Sequence, residues 1–435
     1  MKNLSPFQTI LLVVSGIVIV IGVVIFAFSK SSTSAQAGNV VVWGTITDAD
    51  FTLVSDYLKS QKQIEQTVDY RYIEPSQFDT VFTTALAEGI GPDLVLITDD
   101  KVVRHEKKLF QISYEFFPER LYKDSFVEAG EIFKDERGIF AFPFLIDPIV
   151  MYWNRSFFTE KGLSQPPKFW DEMLTTVPQL VETDLDLTIK KSAVAMGDYG
   201  NISHAKQILT TLLMQAGNKI VVRNLIADPG TPPYSVVLDE SFDFATSPSQ
   251  SAVNFYTQFA NPSRTVYSWN RSLPNSLDSF IAGDVAMYFG YASEFATVRQ
   301  KNPNLNFDVA LMPQSRSGTR STYGKVLALA IPKSSPNVER SYALVRHLIE
   351  PEVNAFISDV LFLPPVRRDL LATRSGNAFM QTFHDSALIS KNVYDFNPEE
   401  TDKIFQRLVE SVVSGRLTTS EAVVRAAGEI NLLQP

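Results

Sequence analysis

The sequence predicts an α/β fold built on a mostly parallel sheet. Short apolar runs with strand character alternate with helix-period segments through its first hundred residues, and Gly, Pro and Asp punctuate the changes. A chain of 435 residues with 45% apolar content can bury a large core, enough for about two or three domains.

Residues 40–43, Val-Val-Val-Trp, read as a buried strand ending at Gly44 and Thr45. Asp48 can cap a helix over 51–61 that carries Phe51, Val54 and Leu58 on one face. Residues 67–73 alternate as a strand, and 78–88 are helical and closed by Gly89. The turn Gly91-Pro92-Asp93 leads into a second apolar strand over 94–97. In such a sheet, ligand-binding groups gather at the carboxyl ends of the strands. Farther on, ADPGTPPY at 227–234 is a Pro/Gly turn cluster, and no internal repeat is visible.

The amino-terminal segment bears on location. Residues 10–28, ILLVVSGIVIVIGVVIFAF, carry no charge. At ~1.5 Å per residue they extend roughly 28 Å, near the hydrocarbon thickness of a bilayer. The expectation is an uncleaved transmembrane signal-anchor over 1–29, a polar linker over 30–38, and the remaining chain outside the cytoplasmic membrane. The competing reading is a cleaved signal peptide, with Ala35-Gln36-Ala37 before Gly38 as the cleavage pattern. The net charge of −9 and the lack of a basic patch argue against nucleic-acid binding.

Five blocks in fixed order carry a more specific message. Residues 138–170, GIFAFPFLIDPIVMYWNRSFFTEKGLSQPPKFW, combine a Pro-broken apolar run, Asp147, an aromatic-Asn pair, a Gly turn and Pro166-Pro167. GIGPDL at 89–94 precedes a strand, and SFIAGDVAMYFG spans 279–290. FDVALMP at 307–313 and FLPPV at 362–366 complete the series. These blocks resemble those of family 1 extracellular solute-binding proteins of ABC importers, the maltose-binding-protein-like family. Phe169 stands where the family usually has Thr, and the absence of cysteine removes the lipid-modified anchor of many relatives.

The resemblance implies a two-lobed clamshell with discontinuous lobes, preceded by the transmembrane helix. Lobe 1 would hold 39–145 with 309–336, and lobe 2 would hold 147–307 with 339–435. The chain would cross near Phe144, Phe307 and Asn337. The implied function is capture of a small polar solute, a carbohydrate by expectation, for a permease and ATPase. A membrane-anchored solute sensor and a glycan-acting enzyme are the alternatives.

Candidate ligand-binding residues follow. Trp43 can stack on a sugar face or pack in the core, and Thr45 beside it can bond a hydroxyl. Asp147 can accept two solute hydroxyls through charge-assisted bonds, or brace the hinge. Asp93 is a weaker candidate, since a turn Asp often bonds its own backbone. Strand alternation lets one of Tyr152 and Trp153 face the cleft, and Tyr152 is the expected one. Gly290 and Tyr291 close an apolar strand, Tyr323 opens another, and Trp269 can cover the cleft.

Catalysis lacks a signature. The four histidines form no zinc pattern, and Asp48-Ala49-Asp50 lacks the rest of a calcium loop. No nucleophile elbow, P-loop or dinucleotide fingerprint occurs. Asp184-Leu185-Asp186 and Glu399-Glu400 read as solvated acids. No cofactor or metal is expected.

Overall fold

The computed structural model describes residues 39–60, 67–224, 232–242 and 244–435. The segments 1–29 and 30–38, expected to form an anchor and a linker, lie outside the described residues, as does most of the 227–234 turn cluster. Among the described residues, no helix is long and apolar enough to cross a membrane.

The opening follows the expected alternation. Strand Asn39–Gly44 pairs in parallel with Thr67–Tyr72 on one side and Leu94–Thr98 on the other. The helix between the first two, Asp48–Ser60, buries Phe51, Val54 and Leu58 on one face. Its cap is Thr47 rather than Asp48: Thr47 Oγ1 accepts from the Asp50 N–H at 3.2 Å and donates to the Asp50 carboxylate at 2.7 Å. Helix Phe78–Glu88 ends on Gly89 in the left-handed conformation, where the lack of a Cβ avoids strain.

The strand Phe142–Asn154 joins two half-sheets. Its residues 142–148 pair with 324–329 of strand Thr322–Ala330, which in turn pairs with Leu94–Thr98. Its residues 149–154 pair instead with Val285–Tyr291 and Phe307–Ala310. Strand Val285–Tyr291 runs parallel to Ile189–Val194. One continuous ladder therefore belongs to both lobes, and the change of partner falls at Asp147-Pro148-Ile149.

Helix packing shifts the outer boundaries from those expected. Strand Phe307–Ala310 lies on lobe 2, and Gln215 of lobe 2 donates to the carbonyls of Pro313 and Ser321 at 3.1 and 2.7 Å. The second crossing thus lies near Thr322 rather than Phe307. Helices Val338–Leu348 and Pro351–Leu361 pack with lobe 1, whereas 339–435 was expected in lobe 2. Phe356 stacks on Tyr57 at 3.8 Å, and Asn354 donates to the Phe144 carbonyl at 2.8 Å. The chain returns to lobe 2 after Leu371. Phe379 of helix Ala378–Leu388 packs on Phe295, and helices Pro398–Val413 and Thr419–Asn431 complete that lobe.

Asp93 sits at the entry of its strand, the end away from the lobe crossing. One carboxylate oxygen accepts the Val41 N–H at 3.0 Å, and the other accepts Ser335 Oγ at 2.9 Å and Asn337 Nδ2 at 3.0 Å. It is a buried bracket between the first strand and the 335–337 turn, not a cleft residue. Asp93→Ala would leave those donors unpaired, so it is expected to cost about 1–3 kcal/mol in urea unfolding. Solute affinity should stay unchanged; a loss of affinity at full stability would return Asp93 to the site.

Candidate functional site

The carboxyl ends of strands from both lobes meet where the chain crosses. Lobe 1 contributes Asp99 and Asp100 after strand Leu94–Thr98, Asp147 on the crossing strand, and Tyr323 at the start of its strand. Lobe 2 contributes Tyr291 at the end of Val285–Tyr291, and His204 just ahead of helix Ala205–Gln215.

Asp99, only 1% exposed, accepts the Val326 N–H and the Tyr323 hydroxyl, each at 2.8 Å. Burial, reinforced by neighbouring Asp100, pushes its carboxyl up to about 7. Asp147 is half-buried. Burial lifts it to about 6, against the opposing pull of the Ser293 N–H, which donates to it at 3.0 Å, and of Lys325. Tyr291 lies within the field of Asp99, Asp147, Asp100 and Glu294, and burial with these charges raises its hydroxyl well above the usual range.

A pocket of about 300 Å³ opens between Asp100 and Tyr323 on one side and Lys206, Gln207 and Thr210 on the other. Asp395, Glu399 and Asp402 form its rim. Lys206 is held by Asp395 at 2.6 Å, and the Tyr199 hydroxyl donates to Asp402 at 2.6 Å.

Contacts across the cleft keep the lobes together. The Tyr323 N–H donates to Thr211 Oγ1 at 3.0 Å. Arg104 of lobe 1 pairs with Asp79 and reaches Glu399 of lobe 2 at 3.0 Å. Glu399, expected to be merely solvated, is one half of an interlobe ion pair. From strand Val221–Arg223 of lobe 2, Arg223 pairs with Glu106 of lobe 1, and the Tyr234 hydroxyl donates to the same carboxylate at 3.0 Å. The guanidinium also lies over the rings of Tyr234 and Tyr394 at 5.1 and 5.3 Å.

The predicted residues separate into those the cleft gathers and those it does not. Tyr323 lines the pocket, and Asp147 and Tyr291 are neighbours at the crossing. Gly290 serves as a spacer: a Cβ would lie 2.1 Å from Glu294 Oε2 and 2.5 Å from the Tyr288 ring, so any side chain would displace that pair. Thr45 is half-buried just past its strand. Tyr152 is fully buried, with its hydroxyl donating to the Tyr291 carbonyl at 2.6 Å, so it braces the strand behind Tyr291 instead of facing solute. Trp269 is fully buried and donates to Asn201 at 3.0 Å, fastening a loop rather than covering the cleft. Trp43, 4% exposed, packs in the lobe 1 core under the Arg71 guanidinium, 4.7 Å from its ring. Asp99, Asp100, His204, Lys206 and Glu294 escape sequence reasoning because they come from separate segments with no shared spacing. The strand-end position of Asp99 and Asp100, directly after a buried apolar run, is the one signal that could have found them. Among the described residues, no group of His, Cys, Asp and Glu is placed to hold a metal ion.

Known proteins of the same build are numerous. An ABC transporter solute-binding protein of Thermotoga lettingae, bound with α-D-tagatose, superimposes with a TM-score of 0.65 at 20% identity, covering 92% of this chain and 100% of that one. The sugar-binding protein MalE of Xanthomonas citri gives 0.73 at 19% identity, covering 91% and 97%. A cyclo/maltodextrin-binding protein complexed with maltotetraose gives 0.72 at 16%, covering 92% and 98%. At these identities the likeness is one of fold: a two-lobed α/β binding protein. Binding proteins of Brucella abortus and Brucella suis are 23% identical over 288 residues, 65% of this chain. The chain spans 64% of the length of these curated relatives, just under two thirds. The family model described as bacterial extracellular solute-binding protein matches residues 27–382, through both half-sheets and the strand they share. The chain belongs to that family, one of solute-binding proteins rather than enzymes.

Proposed function

We propose that this chain is the extracytoplasmic solute-binding component of an ABC importer and that its solute is a carbohydrate. The observation that carries this reading is the meeting of Asp147 and Tyr323 of lobe 1 with Tyr291 of lobe 2 at the strand shared by both lobes. A solute bridging these groups would be gripped by two bodies at once, and binding would favour the closed arrangement. Carboxylate acceptors beside aromatic rings suit a sugar, which presents hydroxyl donors on its edge and C–H groups on its faces. The structural neighbours bound with tagatose and maltotetraose support that chemistry. Thr45 lies at the end of its strand as a further hydroxyl partner. A permease and an ATPase are the partners this role requires, and residues 10–28 are the proposed membrane tether.

A thermal-shift screen with D-tagatose, maltotetraose and mannotriose tests the reading, since a true ligand raises the melting temperature by binding only the folded state. If none of these sugars shifts the transition, the carbohydrate assignment falls. For the tether, the protein should stay in the membrane fraction and keep Met1 or Lys2 at its amino terminus. Amino-terminal sequencing that begins at Gly38 would overturn it.

Asp147 gives the sharpest test of the cleft. Asp147→Ala should weaken sugar binding by roughly 1.5–3 kcal/mol, about ten- to a hundredfold, and Asp147→Asn by less. The ionised carboxylate is the stronger acceptor, and its pKa stands at about 6. Affinity should therefore decline as the pH falls through it, more steeply in the parent than in Asp147→Asn, where neighbours such as Asp99 still titrate. Calorimetric titration from pH 5 to 8, about one unit below to two above that pKa, reads both effects. Unchanged affinity together with a large drop in the urea midpoint would reduce Asp147 to a brace of the hinge.

A further inference from the structure

Helix Ala205–Gln215 begins behind a strained residue. His204 has φ 60° and ψ 26°, a left-handed conformation that a side chain with a Cβ adopts at a cost, and its ring makes no capping bond to the helix. The surroundings hold it there. Trp269 donates to Asn201, and Asn201 Nδ2 donates to the carbonyls of Asn270 and Leu273 at 2.9 and 2.8 Å. The Ser203 N–H donates to Ser276 Oγ at 2.8 Å. Backbone strain that neighbouring contacts maintain this firmly is concentrated at functional sites.

The ring itself is oriented on two sides. Nε2 lies 2.7 Å from Glu294 Oε1, and the Tyr288 hydroxyl donates to Glu294 Oε2 at 2.8 Å, in the space that Gly290 leaves open. The imidazole also meets the Tyr291 ring edge to face at 4.6 Å. A carboxylate only accepts, so in the neutral ring the proton sits on Nε2 and Nδ1 keeps its lone pair. Among the described residues, Nδ1 has no hydrogen-bond partner, and it is not among the polar atoms sealed from solvent.

We propose that His204 is a solute-contacting residue of lobe 2, whose Nδ1 accepts a hydroxyl proton from the solute packed against Tyr291. Glu294 and Tyr288 are positioning residues that fix the tautomer and the ring plane. The assignment rests on the carbohydrate reading above and adds to it an acceptor that is present while the ring is neutral.

The test compares His204→Gly and His204→Asn with the parent full-length protein in detergent, titrated calorimetrically with maltotetraose, mannotriose and D-tagatose. Glycine and asparagine both adopt the left-handed conformation readily, so each should melt near the parent temperature. Asparagine keeps a carbonyl acceptor close to the position of Nδ1, and glycine keeps none. The expected result is about a tenfold loss of affinity in His204→Gly, most of it recovered in His204→Asn. Parent-like affinity in His204→Gly would overturn the contact. Equal losses in both variants would overturn the acceptor role and leave ring packing as the function. Failure of all three sugars to bind the parent would remove the carbohydrate reading, and the hydroxyl contact with it. Nitrogen-15 spectra of histidine-labelled protein decide the tautomer independently of any sugar: a proton on Nδ1 of the neutral ring overturns the His204 assignment.

Discussion

The hydrogen-bond ladder of Phe142–Asn154 is the constraint on which the rest of the structure depends. Its first half is bound to one lobe and its second half to the other, so relative movement of the lobes bends it at its middle, one of three places where the chain crosses. The middle is built to be weak. Pro148 has no N–H to give to either neighbour, and its partner in the ladder is Gly324, which has no side chain to pack. Asp147 follows from the same geometry. A carboxylate at the change of partner has a lobe on each side, one backbone donor from Ser293, and an open direction toward the cleft.

Burial without full pairing gives the site its character. Asp99 has both oxygens bonded and still holds its proton more tightly than a free carboxyl, because water is excluded and Asp100 is next to it. Asp147 is raised for the same first reason with fewer bonds to offset it. Desolvation acts against the charged form in both, and in the proposed role a solute hydroxyl would offset that cost at Asp147, the less fully bonded of the two.

Much of this plan was legible in the residues, and what was not has physical causes. The alternation of strand and helix, the Pro-broken crossing run and Asp147 stand out because Pro and Asp inside an apolar run violate a local pattern. Tyr291 is legible as the residue that ends an apolar strand. Alternation says that Tyr152 and Trp153 face opposite ways, but not which way is the cleft, and in the fold both are buried. An indole signals burial without saying whether by protein or solute, so Trp43 and Trp269 could not be separated from stacking residues. The helix pair at 338–361 is amphipathic and would dock on either lobe; the stacking of Phe356 on Tyr57 decides for lobe 1. His204, Glu294 and Tyr288 meet only because a strained turn and a glycine allow it, and neither is visible as a spacing.

The interlobe ion pairs set the scale on which a solute must act. The Arg104–Glu399 pair has an acid that is mostly exposed, so its contribution is that of a surface pair, about 0–1 kcal/mol. Arg223 differs, being largely buried against Glu106 with two tyrosine rings beside it, and its guanidinium cannot lose its charge to escape burial. Breaking that contact on opening exposes both charges to water, which hydrates them and offsets much of the Coulomb attraction lost. Water thus offsets part of what these ion pairs contribute to holding the lobes together. Moving a two-state equilibrium from 1:99 to 99:1 takes about 5.5 kcal/mol of differential affinity, which in the proposed role a solute would draw from Asp147 on one lobe and Tyr291 on the other. In the proposed role, selectivity would then reside in the groups that a solute can touch from both lobes at once.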